Sequence, residues 1–292
     1  MTDYEEFAFL DDIVAQRGLD SRARHVQRVF VSIESTRKLS ALIWGERSPE
    51  LVMFHGGAQN AHTFDAVALA LNLPLVALDL PHHGHSDGST FGRFAVLEHA
   101  RDLSLALRKL ITPPLPLVAM SYGGRVGIAL SYLYPDLVSQ LFLIDITPRG
   151  EVTKNSHVQD FINGPGSFAT FDEILARTIA FNPTRSEASL RQGVLHNAVQ
   201  RPDGSWVWRH QQHGPGLKAP APTPDLWSWL EELPIPVTLI RAMGPSSIVS
   251  DANIEDFTTR RPHDEIIEVV DASHSVQGSH PLELAELLRS RI

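Results

Sequence analysis

The stretch around Ser121 constrains this chain more than any other. Residues 116–118 form a short apolar run, Ala119-Met120-Ser121-Tyr122-Gly123 follows, and a helical pattern starts in Gly124-Arg125-Val126-Gly127-Ile128-Ala129-Leu130. Read physically, this is a strand, a sharp turn carrying a serine, and a helix packed close behind. Ala119 and Gly123, two residues to either side of the serine, are small enough for strand and helix to approach each other at the turn. Such a turn exposes the hydroxyl and puts the next backbone N–H at the start of a helix, where an oxyanion can be held.

The rest of the chain suits a fold built from such units. Short apolar runs alternate with helical patterns, which predicts an α/β fold with a largely parallel sheet. Strands are expected at residues 26–33, 39–44, 51–55, 75–79, 115–120, 141–146, 237–241 and 266–270, the first two as an antiparallel hairpin across 34–38. Helices are expected near 64–71, 96–110, 125–134, 251–259 and 281–290, the last with Pro281 in its first turn. The alternation breaks between about Arg149 and Trp229. Helical patterns there lie near 158–162, 171–179 and 187–199, followed by a Pro202-Asp203-Gly204 turn, the extended Ser205-Trp206-Val207-Trp208-Arg209, and linker-like 214–216 and 220–224. The sheet pattern then resumes, so the expected organisation is a core of 1–150 and 230–292 with a helical lid at 151–229, rather than two independent domains.

Composition narrows the function. A chain of 292 residues holds one large α/β domain with an insertion. A net charge of −9 argues against a nucleic-acid groove. With no cysteine, disulfides, thiolate catalysis and cysteine metal sites are excluded. The acidic Met1-Thr2-Asp3-Tyr4-Glu5-Glu6 lacks the basic and apolar regions of a secretion signal, and no apolar run approaches the ~18 residues of a membrane span, so a cytoplasmic protein with no membrane partner is expected.

A serine hydroxyl is a poor nucleophile at neutral pH and needs a base, which needs an orienting group. His274, in Asp271-Ala272-Ser273-His274-Ser275-Val276, follows the last expected strand, so its loop faces the same crevice as Ser121. The acid is less direct. The loop Ala242-Met243-Gly244-Pro245-Ser246-Ser247-Ile248-Val249 holds no carboxylate, and Asp251 beyond it reads as a helix N-cap. Asp145 ends the apolar run Leu143-Ile144 and is the favoured acid, with Asp251 as the alternative. The oxyanion donors expected are the N–H groups of Tyr122 and of Gly57, or Ala58, in Phe54-His55-Gly56-Gly57-Ala58-Gln59-Asn60.

Trp206 and Trp208 share one face of an extended stretch and read either as core of the lid or as an apolar substrate ceiling; with His196 they are candidate substrate contacts. Asn197 and Arg185 are further polar candidates, although Arg185 can equally pair with Glu187 or Asp172. His83-Gly84-His85-Ser86-Asp87-Gly88 approaches a binuclear metal motif but has Gly88 where its final ligand belongs, and His55 and His62 read as structural or surface residues; no metal site is expected.

Together His55-Gly56-Gly57, Asp79-Leu80-Pro81-His82-His83-Gly84-His85-Ser86, the Ser121 turn, residues 143–148 and His274-Ser275-Val276 followed by Pro281 resemble the α/β-hydrolase superfamily, in its lid-bearing epoxide-hydrolase and esterase-like branch. The segments run in the family's order and span nearly all of the chain outside 151–229. The resemblance implies an eight-stranded, mostly parallel sheet flanked by helices, a helical lid after strand six, and a serine–acid–histidine triad. The family's acid usually follows strand seven, and this chain departs from that. Haloalkane dehalogenase-like and lactone-hydrolase-like branches place it after strand six, the position of Asp145. Dehalogenases and epoxide hydrolases of this fold carry an aspartate at the elbow, so Ser121 argues against both chemistries. The expectation is a serine hydrolase for a small apolar carboxylic ester or lactone, needing no cofactor, with a homodimer as the only protein assembly considered. Carbon–carbon bond hydrolysis of a diketone-like substrate, or ligand binding without turnover, are the alternatives.

Overall fold

The computed structural model describes residues 4–19, 25–92, 94–149, 160–183, 185–211, 218–219 and 221–292. Eight strands make the main sheet: β1 (Val26–Ser32), β2 (Lys38–Trp44), β3 (Leu51–Phe54), β4 (Leu75–Leu78), β5 (Leu115–Met120), β6 (Val138–Ile144), β9 (Val237–Ala242) and β10 (Glu265–Val269). Their order is β1-β2-β4-β3-β5-β6-β9-β10. The first two form the expected hairpin, Val26 opposite Trp44 and Ser32 opposite Lys38. β2 runs antiparallel to β4, and every later pairing is parallel.

Side chains of the central strands alternate between two apolar layers. Leu117 and Ala119 of β5 face α3 (Val96–Leu110), α4 (Tyr122–Leu133), α7 (Leu226–Glu232) and α8 (Asp251–Arg260). Val118 and Met120 face α1 (Leu10–Arg17), α2 (Asp65–Leu71) and α10 (Pro281–Arg289). Burial on both faces is why these strands read in sequence as unbroken apolar runs. Among the described residues no helix is long and apolar enough to cross a membrane.

Between β6 and β9 the chain forms α5 (Phe171–Phe181), α6 (Glu187–Asn197) and a small hairpin of β7 (Ala198–Gln200) and β8 (Trp206–Trp208). These pack on a cluster of their own, centred on Phe168, Ile174, Leu175, Leu190, Val194 and Trp208. The helix expected over 187–199 stops at Asn197, because pairing of Gln200 with Trp206 draws the next residues into the hairpin. Of the 158–162 pattern only 160–162 are described, as helix; the 214–216 linker lies outside the described residues, and 221–224 carry no regular structure. The sequence pattern passed over α1, α7 and the short α9 (Val276–Ser279).

Two boundaries differ near the site. α4 begins at Tyr122 rather than 125, because the chain turns into the helix directly after Ser121. The helix reaches the sheet so closely that a Cβ on Gly123 would lie 2.3 Å from the His55 carbonyl oxygen. At α8 the N-cap is Ser250, not Asp251: the Ser250 hydroxyl accepts the Asn253 N–H while the Asn253 side chain returns to the Ser250 N–H.

Candidate active site

Ser121 stands where β5 ends and α4 begins, at φ 51° and ψ −119°. A non-glycine residue in the left-handed region costs on the order of 1–3 kcal/mol, and such strain persists only where neighbours impose it. Here its N–H still donates to Ile144 O at 3.2 Å, extending the β5–β6 ladder by one bond before the chain turns. One strand over, Asp145 repeats the arrangement, at φ 44° with its N–H on Ile240 O at 2.7 Å. Both side chains are therefore delivered at the carboxyl edge of the sheet.

His274 joins them. Its Nε2 lies 3.0 Å from Ser121 Oγ and its Nδ1 2.7 Å from Asp145 Oδ2. The carboxylate can only accept, so Nδ1 donates and Nε2 is left as the acceptor for the serine hydroxyl. The backbone N–H of His274 is pinned on Ser246 Oγ at 3.0 Å. Asp145 is fully buried and every direction around its carboxylate is used. Oδ1 accepts from Ala242 N at 3.1 Å and Ser247 Oγ at 2.7 Å, and Oδ2 also accepts from Ile248 N at 3.0 Å. The last residue of β9 and the loop after it, which hold no carboxylate of their own, supply these donors. Burial without them would cost several kcal/mol. The alternative acid, Asp251, is elsewhere: its side chain is 91% exposed and paired with Arg241 at 2.6 Å.

The backbone of residues 56–58 runs against the serine. A Cβ on Gly56 would meet Ser121 Cβ at 3.2 Å and Met120 Sδ at 2.4 Å. Gly57 follows, with Phe94 and Ile162 beside it, and Ala58 takes φ 60°. Tyr122, the first residue of α4, has an N–H for which the helix offers no acceptor. Gln59 is a residue of this site that the sequence alone does not single out. Its Oε1 accepts the Gly56 N–H at 3.0 Å and its Nε2 donates to Ser275 Oγ at 3.0 Å, which ties this loop to the His274 loop. Its position beside the glycines was the only signal in the sequence.

The histidines near this loop act as staples. Fully buried His55 donates from Nδ1 to Gly56 O at 2.7 Å and accepts the Leu80 N–H on Nε2 at 2.9 Å, and burial lowers its pKa, keeping it neutral. In the segment that approached a metal motif, Asp79 accepts from Ala61 N, His85 N and Arg28, and Ser86 donates to Asp79 O. Asp87 accepts from Lys38 N. The segment is a structural turn.

His62, Asp65 and His196 do bring one ligand atom each within 4.8 Å of one another. As arranged they form an ion-pair network. His62 Nδ1 faces Asp65 and its Nε2 faces Glu6, each at 2.8 Å. Burial alone would lower the His62 pKa, but the two carboxylates outweigh it and raise it to about 9. The His62 and His196 rings stack with centroids 3.8 Å apart and planes at 12°, so their lone pairs run side by side rather than converging. A cation there would have to displace a proton and compete with Arg28, 3.2 Å from His62 Nε2.

A half-open cavity of about 200 Å³ lies on the insertion side of the 56–60 loop; neither Ser121 nor His274 lines it. Ala58 and Ser275, the chain neighbours of Gly57 and His274, line it, with α1 and α6 as walls. His196 and Trp208 reach it; Trp206 does not, being packed on Phe171 at 5.1 Å within the insertion's own cluster. The lining is mixed: Ile13, Phe161, Leu190, Val194 and Trp208 stand beside the amides of Gln16, Asn60, Asn182, Gln192, Asn197 and Gln277. The insertion is fastened over the 56–60 loop by Asn197, which donates to Ala58 O, and by Asn60, which donates to His196 O at 3.0 Å.

Residues 51–287 match the model of the alpha/beta hydrolase family. Esterase Rv0045c of Mycobacterium tuberculosis is 35% identical over 296 residues, covering 99% of this chain and 96% of the esterase. A solved structure of that esterase superposes with a TM-score of 0.84 at 34% identity, covering 99% of each chain. The structure of E-2-(acetamidomethylene)succinate hydrolase, at 23% identity, shares the fold with a TM-score of 0.78 over 91% of this chain and 98% of that one.

Proposed function

The chain belongs to the alpha/beta hydrolase family, and on that premise we propose that it is a serine hydrolase that cleaves carboxylic esters through an acyl-enzyme. The observation that carries this reading is the hydrogen-bonded line from Ser121 Oγ through His274 to Asp145. The likeness to an esterase along the whole chain supports ester substrates.

In this reading the Ser121 hydroxyl attacks the ester carbonyl as its proton passes to His274 Nε2. Asp145 holds the ring in the tautomer that leaves Nε2 free, and stabilises the imidazolium once formed. The carbonyl oxygen becomes an oxyanion facing the N–H groups of Tyr122 and Gly57, worth about 3 kcal/mol of barrier for each donor. His274 gives its proton to the departing alkoxide, the ester C–O bond breaks, and the acyl group remains on Ser121. Water then attacks with His274 as base, releasing the acid and restoring the serine. The insertion at 151–229 acts as a lid, lowering solvent access to the oxyanion loop it is bonded to.

A fluorophosphonate probe tests this directly. The wild type is expected to label at Ser121 and to hydrolyse 4-nitrophenyl butyrate, and Ser121→Ala to lose both while remaining folded. A folded wild type that neither labels nor turns over the ester overturns the proposal.

A further inference from the structure

Among the described residues Arg185 is a cation facing the cavity with no carboxylate beside it. It lies between α5 and α6 and lines the cavity together with Asn182, Ser189 and Gln277. Its Nη2 donates to Ser189 Oγ at 2.7 Å, and its buried Nε meets no acceptor among the described residues. Neither carboxylate considered from sequence answers it: the ion pair of Glu187 is with Arg191, and no ion pair joins Asp172 to Arg185 among the described residues. The guanidinium instead lies against Gly278, where a Cβ would meet Nη1 at 3.2 Å. Gly278 belongs to α9, the helix that directly follows the His274 loop.

A guanidinium has five donors in a planar fork and stays charged in proteins, so leaving it part-buried without a counter-ion is costly unless something supplies one. Arg17, at the end of α1, adds a second positive charge to the lining. The one acidic residue among those lining the cavity, Asp65, is already taken by His62. The remaining lining is rich in neutral amides and hydroxyls, which suits an anion of single charge better than a doubly charged phosphate ester.

We propose that this cavity is a carboxylate subsite anchored by Arg185, and that the preferred substrate is an ester carrying a free carboxylate on its acyl side. The inference rests on the serine-hydrolase reading and replaces the apolar substrate expected from sequence with an anionic one. In this reading the carboxylate pairs with the guanidinium beside the amides of Asn182 and Gln277, and the ester end extends toward Ser121 past Ala58 and Ser275.

The test compares kcat/KM for the mono-4-nitrophenyl ester of glutaric acid and for 4-nitrophenyl pentanoate, which has the same acyl length without the charge. The wild type is expected to favour the acid ester. Arg185→Gln is expected to lower the acid-to-neutral ratio by about tenfold or more, and Arg185→Lys to recover part of it. Fluorophosphonate labelling of each variant reports an intact reacting centre. A ratio that Arg185→Gln leaves unchanged overturns the subsite. So does free glutarate altering pentanoate turnover while the ratio stays fixed, since the site then serves a free acid. A wild type that turns over neither ester and does not label overturns the hydrolase reading instead, so the two failures are distinguishable.

Discussion

The Ser247 hydroxyl donates to Asp145 Oδ1 at 2.7 Å, joining two loops 102 residues apart in sequence. That bond, with the N–H groups of Ala242 and Ile248, fixes a fully buried carboxylate in front of His274. Asp145→Asn is therefore expected to lower kcat by about 10⁴-fold, because an amide can hold the imidazole in the wrong tautomer. Ser247→Ala removes one of several donors and is expected to lower kcat by roughly tenfold. Asp251→Asn touches only an exposed ion pair with Arg241, and kcat is expected to stay within about twofold. Steady-state kinetics on one ester ranks the three; a loss in Asp251→Asn exceeding that in Asp145→Asn defeats the assignment.

The two ends of Gln59 tie the Gly56 loop to the His274 loop, which suits a positioning role. Truncating it leaves every reacting group in place but frees the Gly56 N–H and Ser275. Gln59→Ala is expected to lower kcat by about tenfold with little change in KM, since alignment in the transition state is lost rather than ground-state binding. Gln59→Glu keeps the acceptor for Gly56 N–H but cannot donate to Ser275, and is expected to fall between the two. A change confined to KM would place Gln59 in substrate binding instead.

How much of this was legible in the sequence follows from where each signal sits. β3, β4 and β9 are buried along their whole length, so they read as apolar runs bounded by turns. Ser121 and Asp145 each follow a strand whose last four residues are buried, which makes them legible; His274 follows β10, of which only Val269 is buried, and is legible from its place between the last strand and the last helices. The donors around Asp145 were not legible: a loop lacking a carboxylate looked like a missing acid, when it is what solvates an acid one strand away. The insertion was least legible, because its cluster is small and its hairpin rests on cross-strand pairing of Gln200 with Trp206. The same alternation that puts Trp206 and Trp208 on one face cannot say that Phe171 covers the first while the cavity receives the second.

Gly123 is required by contact. A methyl group there would sit 2.3 Å from the His55 carbonyl oxygen and 2.9 Å from that of Phe54, both main-chain atoms that cannot turn aside. Gly123→Ala must push α4 away from β3, with Ser121 at its head. The expected cost is about 3 kcal/mol of stability, measured by urea unfolding, with a loss of fluorophosphonate labelling rate in the fraction that remains folded. Stability within 0.5 kcal/mol of the wild type, by the same roughly ±0.5 kcal/mol standard applied to surface substitutions, contradicts the close approach.

The His62 network gives a pH dependence with a definite sign. Burial opposes charging of His62, yet Asp65 and Glu6 raise its pKa from 6.5 to about 9. Burial likewise opposes ionisation of Glu6, yet hydrogen bonds from His62 and Arg28 lower its pKa from 4.5 to about 2. A group whose folded pKa lies above its unfolded value binds its proton more tightly when folded, so its contribution is full below about pH 6.5 and is lost as pH rises through about 9. For Glu6 the contribution is full above about pH 4.5 and is lost as pH falls toward 2. The network ties the N-terminal segment to the insertion: Glu6 meets His62, His62 stacks on His196, and the Tyr4 hydroxyl donates to His196 Nδ1 at 2.5 Å. Thermal unfolding followed from pH 6 to pH 10 is expected to show a falling Tm across pH 7–9.5, and His62→Gln, which is less stable at pH 6, to show a shallower fall. Because α1 and His196 both line the cavity, KM for a carboxylate-bearing ester is expected to rise over the same interval. Parallel Tm curves for wild type and His62→Gln would show that His62 carries no extra proton in the folded protein and would remove the basis for both effects.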